Sequence, residues 1–253
     1  IFSCTNTRHR KRWLRHSAYY ALNLLTVRNR LTRFVPVTAG SKRVARRVNF
    51  ESLYDGVWQT LPPHIIDELN AGGFDVITKF GMGLLRVPPR ETLPIPILSY
   101  HHGDPDRYRG RPAGFWEMVE DVPVMGQVVQ VIGNRLDAGK VVAFAETKVL
   151  PWSYRATLIE SYRHSPLIIN TAIRNAISGT YLQKPSSGRN CRLPSNRAVL
   201  AFTARTASQS LRRLLYGALK EKAWRVSTAP LPRDWLDQLL IGGDFPEAEE
   251  WGT

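Results

Sequence analysis

The chain has 253 residues, 43% hydrophobic and 22% charged, which suits one large domain or two small ones and excludes a disordered tail. No low-complexity run or internal repeat is present, and the longest apolar stretch falls well short of the roughly 20 residues of a membrane-spanning helix. The net charge of +14 is local: residues 1–50 hold 12 of the 35 Lys and Arg and none of the 21 Asp and Glu, so the remainder is nearly balanced.

Residues 1–4 read as a strand entered midway, with Thr5, Asn6 and Thr7 as its exit turn. The start at Ile1 leads to the expectation of an internal fragment whose sheet lacks its first strand. No signal-peptide pattern is present. Arg8, Arg10, Lys11, Arg12 and Arg15, then Lys42, Arg43, Arg46 and Arg47, carry the basic excess. Such a surface suits nucleic acid or an anionic membrane; it equally suits a solvated face or one that meets an acidic neighbour. Residues 13–31 have apolar positions at mixed helical spacing and predict one or two helices, followed by a polar, basic connection over 35–49.

Pro62-Pro63 opens a predicted helix over 64–70, and Gly72-Gly73 stops it. Short apolar runs at 74–80 and 95–100 predict buried strands. Residues 114–119 predict a short helix, 127–132 and 140–148 two strands, and 153–177 the longest helix. This alternation predicts an α/β sheet with parallel members, whose ligands gather at the carboxyl ends of strands. Residues 183–196, rich in Pro, Ser, Gly and Asn, read as a linker. Residues 204–222 predict an amphipathic helix with Leu211, Leu214, Leu215, Ala218 and Leu219 on its apolar face. The expected division is an α/β domain over 1–179 and a linker with helical extension over 180–253, ending as if a further domain followed. Cys4 and Cys191 are too few for a disulfide framework or a structural zinc site, so a reducing cytoplasm is the expected compartment.

The densest polar cluster, from Ser99 to Gly110, directly follows the strand predicted at 95–100. Histidines that titrate near pH ~6.5 beside carboxylates suit general acid–base work. A surface or capping pair is the plainer alternative for His101 and His102. These two, with Asp104 and Asp106, are also capable metal ligands, but Leu98, Ser99 and Tyr100 add no acidic ligand, and no metal is expected. Arg107, Arg109 and Arg111 suit an anionic substrate group, such as a nucleotide-sugar phosphate, or a solvated rim.

The cluster resembles the signature of the folate-dependent formyltransferases, the family of methionyl-tRNA, glycinamide ribonucleotide and amino-sugar formyltransferases. Ser99 falls on the signature's Asn, His101 on its His, and Tyr108-Arg109-Gly110 on its closing Tyr-Arg-Gly. Leu136-Asp137-Ala138-Gly139 falls on a later Leu-Asp-Thr-Gly that precedes a strand, and Gly126 on the glycine opening the strand between them. Upstream, residues 74–77 and Phe80-Gly81-Met82-Gly83-Leu84-Leu85 resemble the strand and glycine turn that come before the signature. The resemblance covers residues 74–179 and extends weakly back to residue 1. Ser99 departs from the family Asn, and residues 102–106 depart from its Pro-Ser-Leu-Leu-Pro bend.

This resemblance implies a Rossmann-like open, mostly parallel sheet of the formyltransferase type. It implies transfer of a formyl group from 10-formyltetrahydrofolate, as co-substrate, to a primary amine such as that of an amino sugar. His101 is then the general base, Asp137 the residue that orients it, and Ser99 the group in the oxyanion-donor position. Phe80, Gly81, Met82, Leu84 and Leu136 are assigned to the folate, and His102, Asp104, Arg107 and Arg109 to the acceptor. With water replacing the amine, the same pair would hydrolyse formyltetrahydrofolate. With Ser99 marking lost chemistry, the domain would be a binding module.

Overall fold

The computed structural model of the chain describes residues 1–6, 14–27, 46–134 and 139–217. A first compact unit runs Ile1–Leu211 and a second Arg212–Thr253. In chain order the elements are β1 (Phe2–Cys4), a 3-10 turn (Leu14–His16), α1 (Ser17–Thr26), β2 (Val48–Phe50), β3 (Leu53–Asp55), β4 (Trp58–Thr60) and α2 (Pro63–Ala71). They continue with β5 (Ile77–Lys79), β6 (Leu84–Leu85), β7 (Ile97–His101), β8 (Tyr108–Gly110), α3 (Phe115–Val119), β9 (Val124–Val131), β10 (Lys140–Lys148), α4 (Tyr154–Ile177), β11 (Arg189–Cys191) and α5 (Asn196–Gly217).

The central sheet has the order β10-β9-β7-β5. β5 runs parallel to β7, whereas β9 is antiparallel to both β7 and β10. The expected α/β class with parallel members is present, and a hairpin completes one side of the sheet. The short link from β9 to β10 explains that hairpin, because a parallel return needs a crossover of a dozen residues or more. Smaller parallel ladders join β1 to β2, β4 to β6 and β8 to β11.

α4 covers one face of the sheet. Ser153 caps it by accepting the Ala156 N–H at 3.1 Å, and Ile168, Ala172 and Ala176 pack on Leu98, Val129, Val142 and Ala143. The other face meets α2, whose Ile65 and Leu69 pack with Ile97, Phe50 and Leu85. The predicted Pro-Pro start of α2 holds, with Pro63 at the first helical turn. A third cluster joins Phe115 and Met118 of α3 to Tyr19, Tyr154, Val199 and Phe202.

Several expected boundaries shift. The strand predicted over 74–80 is confined to Ile77–Lys79, and Phe74 is 44% exposed. The strand predicted over 95–100 extends to His101, which is therefore held by a ladder rather than a loop. Residues 183–196 are not all linker: β11 pairs with β8 inside them. The compact unit continues past the boundary expected at Gly179, because Val199 and Phe202 are buried at 2% and 4% exposure among α1, α3 and α4. α5 begins at Asn196 rather than 204, and its expected apolar face at Leu211, Leu214 and Leu215 is exposed. Leu219 and most of the basic residues of the first fifty lie outside the described residues.

If residues 196–211 belong to the core, Phe202→Ala should lower unfolding stability by ~3–5 kcal/mol in urea titration. Leu200→Ala, on the exposed side of the same helix, should change it by no more than about 0.5 kcal/mol. Equal effects would sink the assignment.

Candidate active site

Side chains alternate along β7, so Leu98 and Tyr100 face α4 while Ser99 and His101 share the opposite face with Ile97. Register then sets their neighbours: Ser99 lies between Lys79 of β5 and Gln130 of β9, and His101 is opposite Val128. Gln130 is 1% exposed, and its Oε1 accepts the Gly139 N–H at 2.9 Å. The far end of the loop between β9 and β10 is thereby tied one strand from Ser99. Leu136 and Asp137 lie outside the described residues, and so does the expected pairing of Asp137 with His101.

His101 Nε2 lies 3.3 Å from the Tyr108 carbonyl oxygen. The loop between these residues is tightly built. Asp104 Oδ1 accepts the Asp106 N–H at 2.9 Å and sits 3.0 Å from Lys184 Nζ, and the Asp104 carbonyl receives the Arg107 N–H at 2.9 Å. Asp106 is bonded by the Ser187 hydroxyl. The loop also explains Gly126: a Cβ there would come 2.7 Å from the Asp104 backbone nitrogen. Of the residues assigned to an acceptor, Arg107 is exposed and Arg109 donates from Nε to the Gly188 carbonyl at 2.6 Å. Asp104 is engaged by Lys184, and His102 turns towards α4.

The His102 ring sits between Tyr100 and Tyr162, with centroids 4.6 and 4.7 Å away, and its Nδ1 is 3.0 Å from Ser161 Oγ. His101 and His102 therefore do not converge, and no group of three or more metal-capable side chains occurs among the described residues. Burial, and after it the charge of His101, lowers the His102 pKa to about 3. Behind the loop, Tyr108 donates to Glu120 at 2.7 Å, and Arg189 pairs with the same carboxylate. Glu117 is 2% exposed, its Oε1 has no hydrogen-bond partner among the described residues, and burial pushes its pKa up to about 7.

Phe80 starts the glycine turn after β5 and is 67% exposed. Gly81 has φ +71°, Met82 packs into the α2 cluster and Leu84 joins β6. A cleft of about 240 Å³ opens nearby, between Pro88, Leu93, Pro94 and Pro96 on one side and Ile132 and Gly139 on the other. Neither this lining nor Gln130 was singled out in the sequence. The signal for Gln130 is an amide, with Gln127 the second, in a strand whose other side chains are apolar, on the same face as Val128.

Glu117 and His102 set opposite pH slopes. From about pH 4.5 to 7 the unfolded Glu117 is ionised while the folded one keeps its proton, so stability falls as pH rises. From about pH 3 to 6.5 the unfolded His102 is charged while the folded one is neutral, so stability falls as pH falls. Between about pH 4.5 and 6.5 the two should nearly cancel. Glu117→Gln should therefore gain ~2 kcal/mol on going from pH 4.5 to 6.5, and His102→Phe should lose a similar amount, read by urea unfolding. Parallel slopes in both variants would refute the assignment.

No protein-family model matches the chain, and no curated protein matches it. Among solved structures, a variant of HypX from Aquifex aeolicus is 16% identical with a TM-score of 0.46, over 67% of this chain and 32% of that one. The chain therefore spans about a third of HypX. Glycinamide ribonucleotide transformylase 1 from Symbiobacterium toebii is 22% identical with a TM-score of 0.44, over 58% and 69%. The N-formyltransferase from Helicobacter canadensis, solved with folinic acid and dTDP-3-aminofucose, is 14% identical with a TM-score of 0.39, over 57% and 59%. The three matches cover between 57% and 67% of this chain.

Proposed function

We propose that the chain transfers a formyl group from 10-formyltetrahydrofolate to a primary amine. The reading is carried by one observation: Ser99 and His101 share the sheet face opposite α4, beside Gln130 and the Gly139 it anchors. Gly139 also borders the 240 Å³ cleft, whose proline and aliphatic lining suits a flat heteroaromatic ring.

The co-substrate supplies an activated formyl carbon. As the amine nitrogen bonds to that carbon, His101 takes the amine proton as general base; the carbon–N10 bond breaks, and the proton is returned to N10, leaving tetrahydrofolate. Asp137, assigned by resemblance, orients the ring and stabilises its cation. The Ser99 hydroxyl supplies one donor to the formyl oxygen, a contact whose loss typically costs ~2.7–4 kcal/mol of barrier. Phe80, Gly81, Met82, Leu84 and Leu136 border the folate together with the cleft. Arg107 and Arg109 hold an anionic group of the acceptor, consistent with an amino sugar carrying a phosphate. His102 and Asp104 contribute by fixing the loop, each engaged with a protein partner. Cys4 and Cys191 are both free, in keeping with a reducing cytoplasm. No helix among the described residues is long and apolar enough to cross a membrane.

The test is incubation of the full chain with 10-formyltetrahydrofolate, alone and with a panel of amines including amino sugars. Formylated amine formed only in the presence of acceptor is the expected result, and His101→Ala should lower its rate by at least ~100-fold with an unchanged circular dichroism spectrum. Formate released without acceptor would replace transfer by hydrolysis. Neither product would leave a formyltransferase-like binding module.

A further inference from the structure

Gln59 of β4 is 2% exposed, unusual isolation for a primary amide, and every polar atom of its side chain is engaged. Its Oε1 accepts the Gly83 N–H at 2.7 Å. Its Nε2 donates to Ser52 Oγ at 2.8 Å and to the Tyr54 hydroxyl at 3.1 Å. The amide orientation is forced, because a backbone N–H can only donate. Ser52 is itself fixed: its N–H and hydroxyl bond Asn6 Oδ1 at 2.8 and 3.0 Å. The main chain adds to the hold, since Gln59 lies opposite Leu85 in the ladder and its carbonyl accepts the Arg86 N–H at 2.8 Å. Fit is close, for a Cβ on Gly83 would come 2.8 Å from Gln59 Oε1.

Gly83 belongs to the glycine turn that leaves β5 at Lys79, the ladder neighbour of Ser99. The turn begins with Phe80, which is 67% exposed and follows directly on Lys79, the ladder partner of Ser99. We infer that Gln59 is a positioning residue for the folate: it touches no ligand, and it clamps this turn so that Phe80 and the Gly81–Met82 backbone keep a fixed approach to the co-substrate. The inference rests on the formyltransferase reading. Without the amide, the Gly83 N–H loses its acceptor and the turn its only side-chain tether among the described residues to β4.

Two measurements on the full chain decide it, hydrogen–deuterium exchange and equilibrium binding of 5-formyltetrahydrofolate, a stable reduced folate. In Gln59→Leu, exchange should rise chiefly over residues 80–85, and the folate should bind at least tenfold more weakly. Thr157→Val is the control, because it strands the partly buried Leu150 N–H in the same way, distant in sequence from the turn. It should lose stability yet bind as the unaltered chain does. Unchanged affinity in Gln59→Leu, a uniform rise in exchange, or an equal affinity loss in Thr157→Val would overturn the positioning role alone. No binding by the unaltered chain would overturn the folate reading beneath it.

Discussion

The five residues of β7 must point alternately to the two faces of the sheet, and the arrangement of the candidate site depends on that pleat. Leu98 and Tyr100 are drawn to α4, where Leu98 is 1% exposed among Ile168, Ala172 and Val142. Ser99 and His101 are thereby committed to the other face. A slip of one residue would bury His101 against α4 and turn Tyr100 outward, so the apolar packing of α4 enforces the register that the proposed chemistry requires.

The residues after the strand divide in the same way. His102 closes the α4 side by stacking between Tyr100 and Tyr162 and meeting Ser161, and burial keeps its ring neutral. Asp104 and Asp106 hold the loop through Lys184, Ser187 and their own backbone. Gly126 lets that loop lie against β9. Much of the polar character of this segment serves its architecture. The ladder with β9 holds the His101 backbone, and the loop fixed by short polar bonds begins directly after it, an arrangement that suits the proposed general base.

Three buried glutamines accomplish the corresponding task elsewhere. Gln127 accepts from the Tyr100 hydroxyl and donates to Thr147 at 3.3 Å; Gln130 holds Gly139, and Gln59 holds Gly83. Burying an amide is unfavourable unless its donors and acceptors are matched, and each match here specifies one arrangement of a neighbouring turn or strand. Two of the three tether glycine turns that border the proposed folate region.

Much of the architecture was legible from local patterns. Pro62-Pro63 and the glycines mark α2, helical periodicity marks α4, and the apolar runs locate β7, β9 and β10, because turn residues and periodicity act within a few residues. His101 stands out for its chemical type, and the resemblance of its segment to a known signature implies a role for it. Other features needed contacts between distant parts of the chain. Burial of Val199 and Phe202 instead of the more conspicuous leucines of α5 was decided by the space left between α1, α3 and α4. Gln59 and Gln130 read as ordinary polar residues in strands until Gly83 and Gly139 were brought to them. The chain by itself determined which elements form and which side chains are capable of the chemistry. Only the tertiary structure decided which of those side chains face the site and which hold it together, because facing depends on strand register and helix docking, and both are set by residues far apart in sequence.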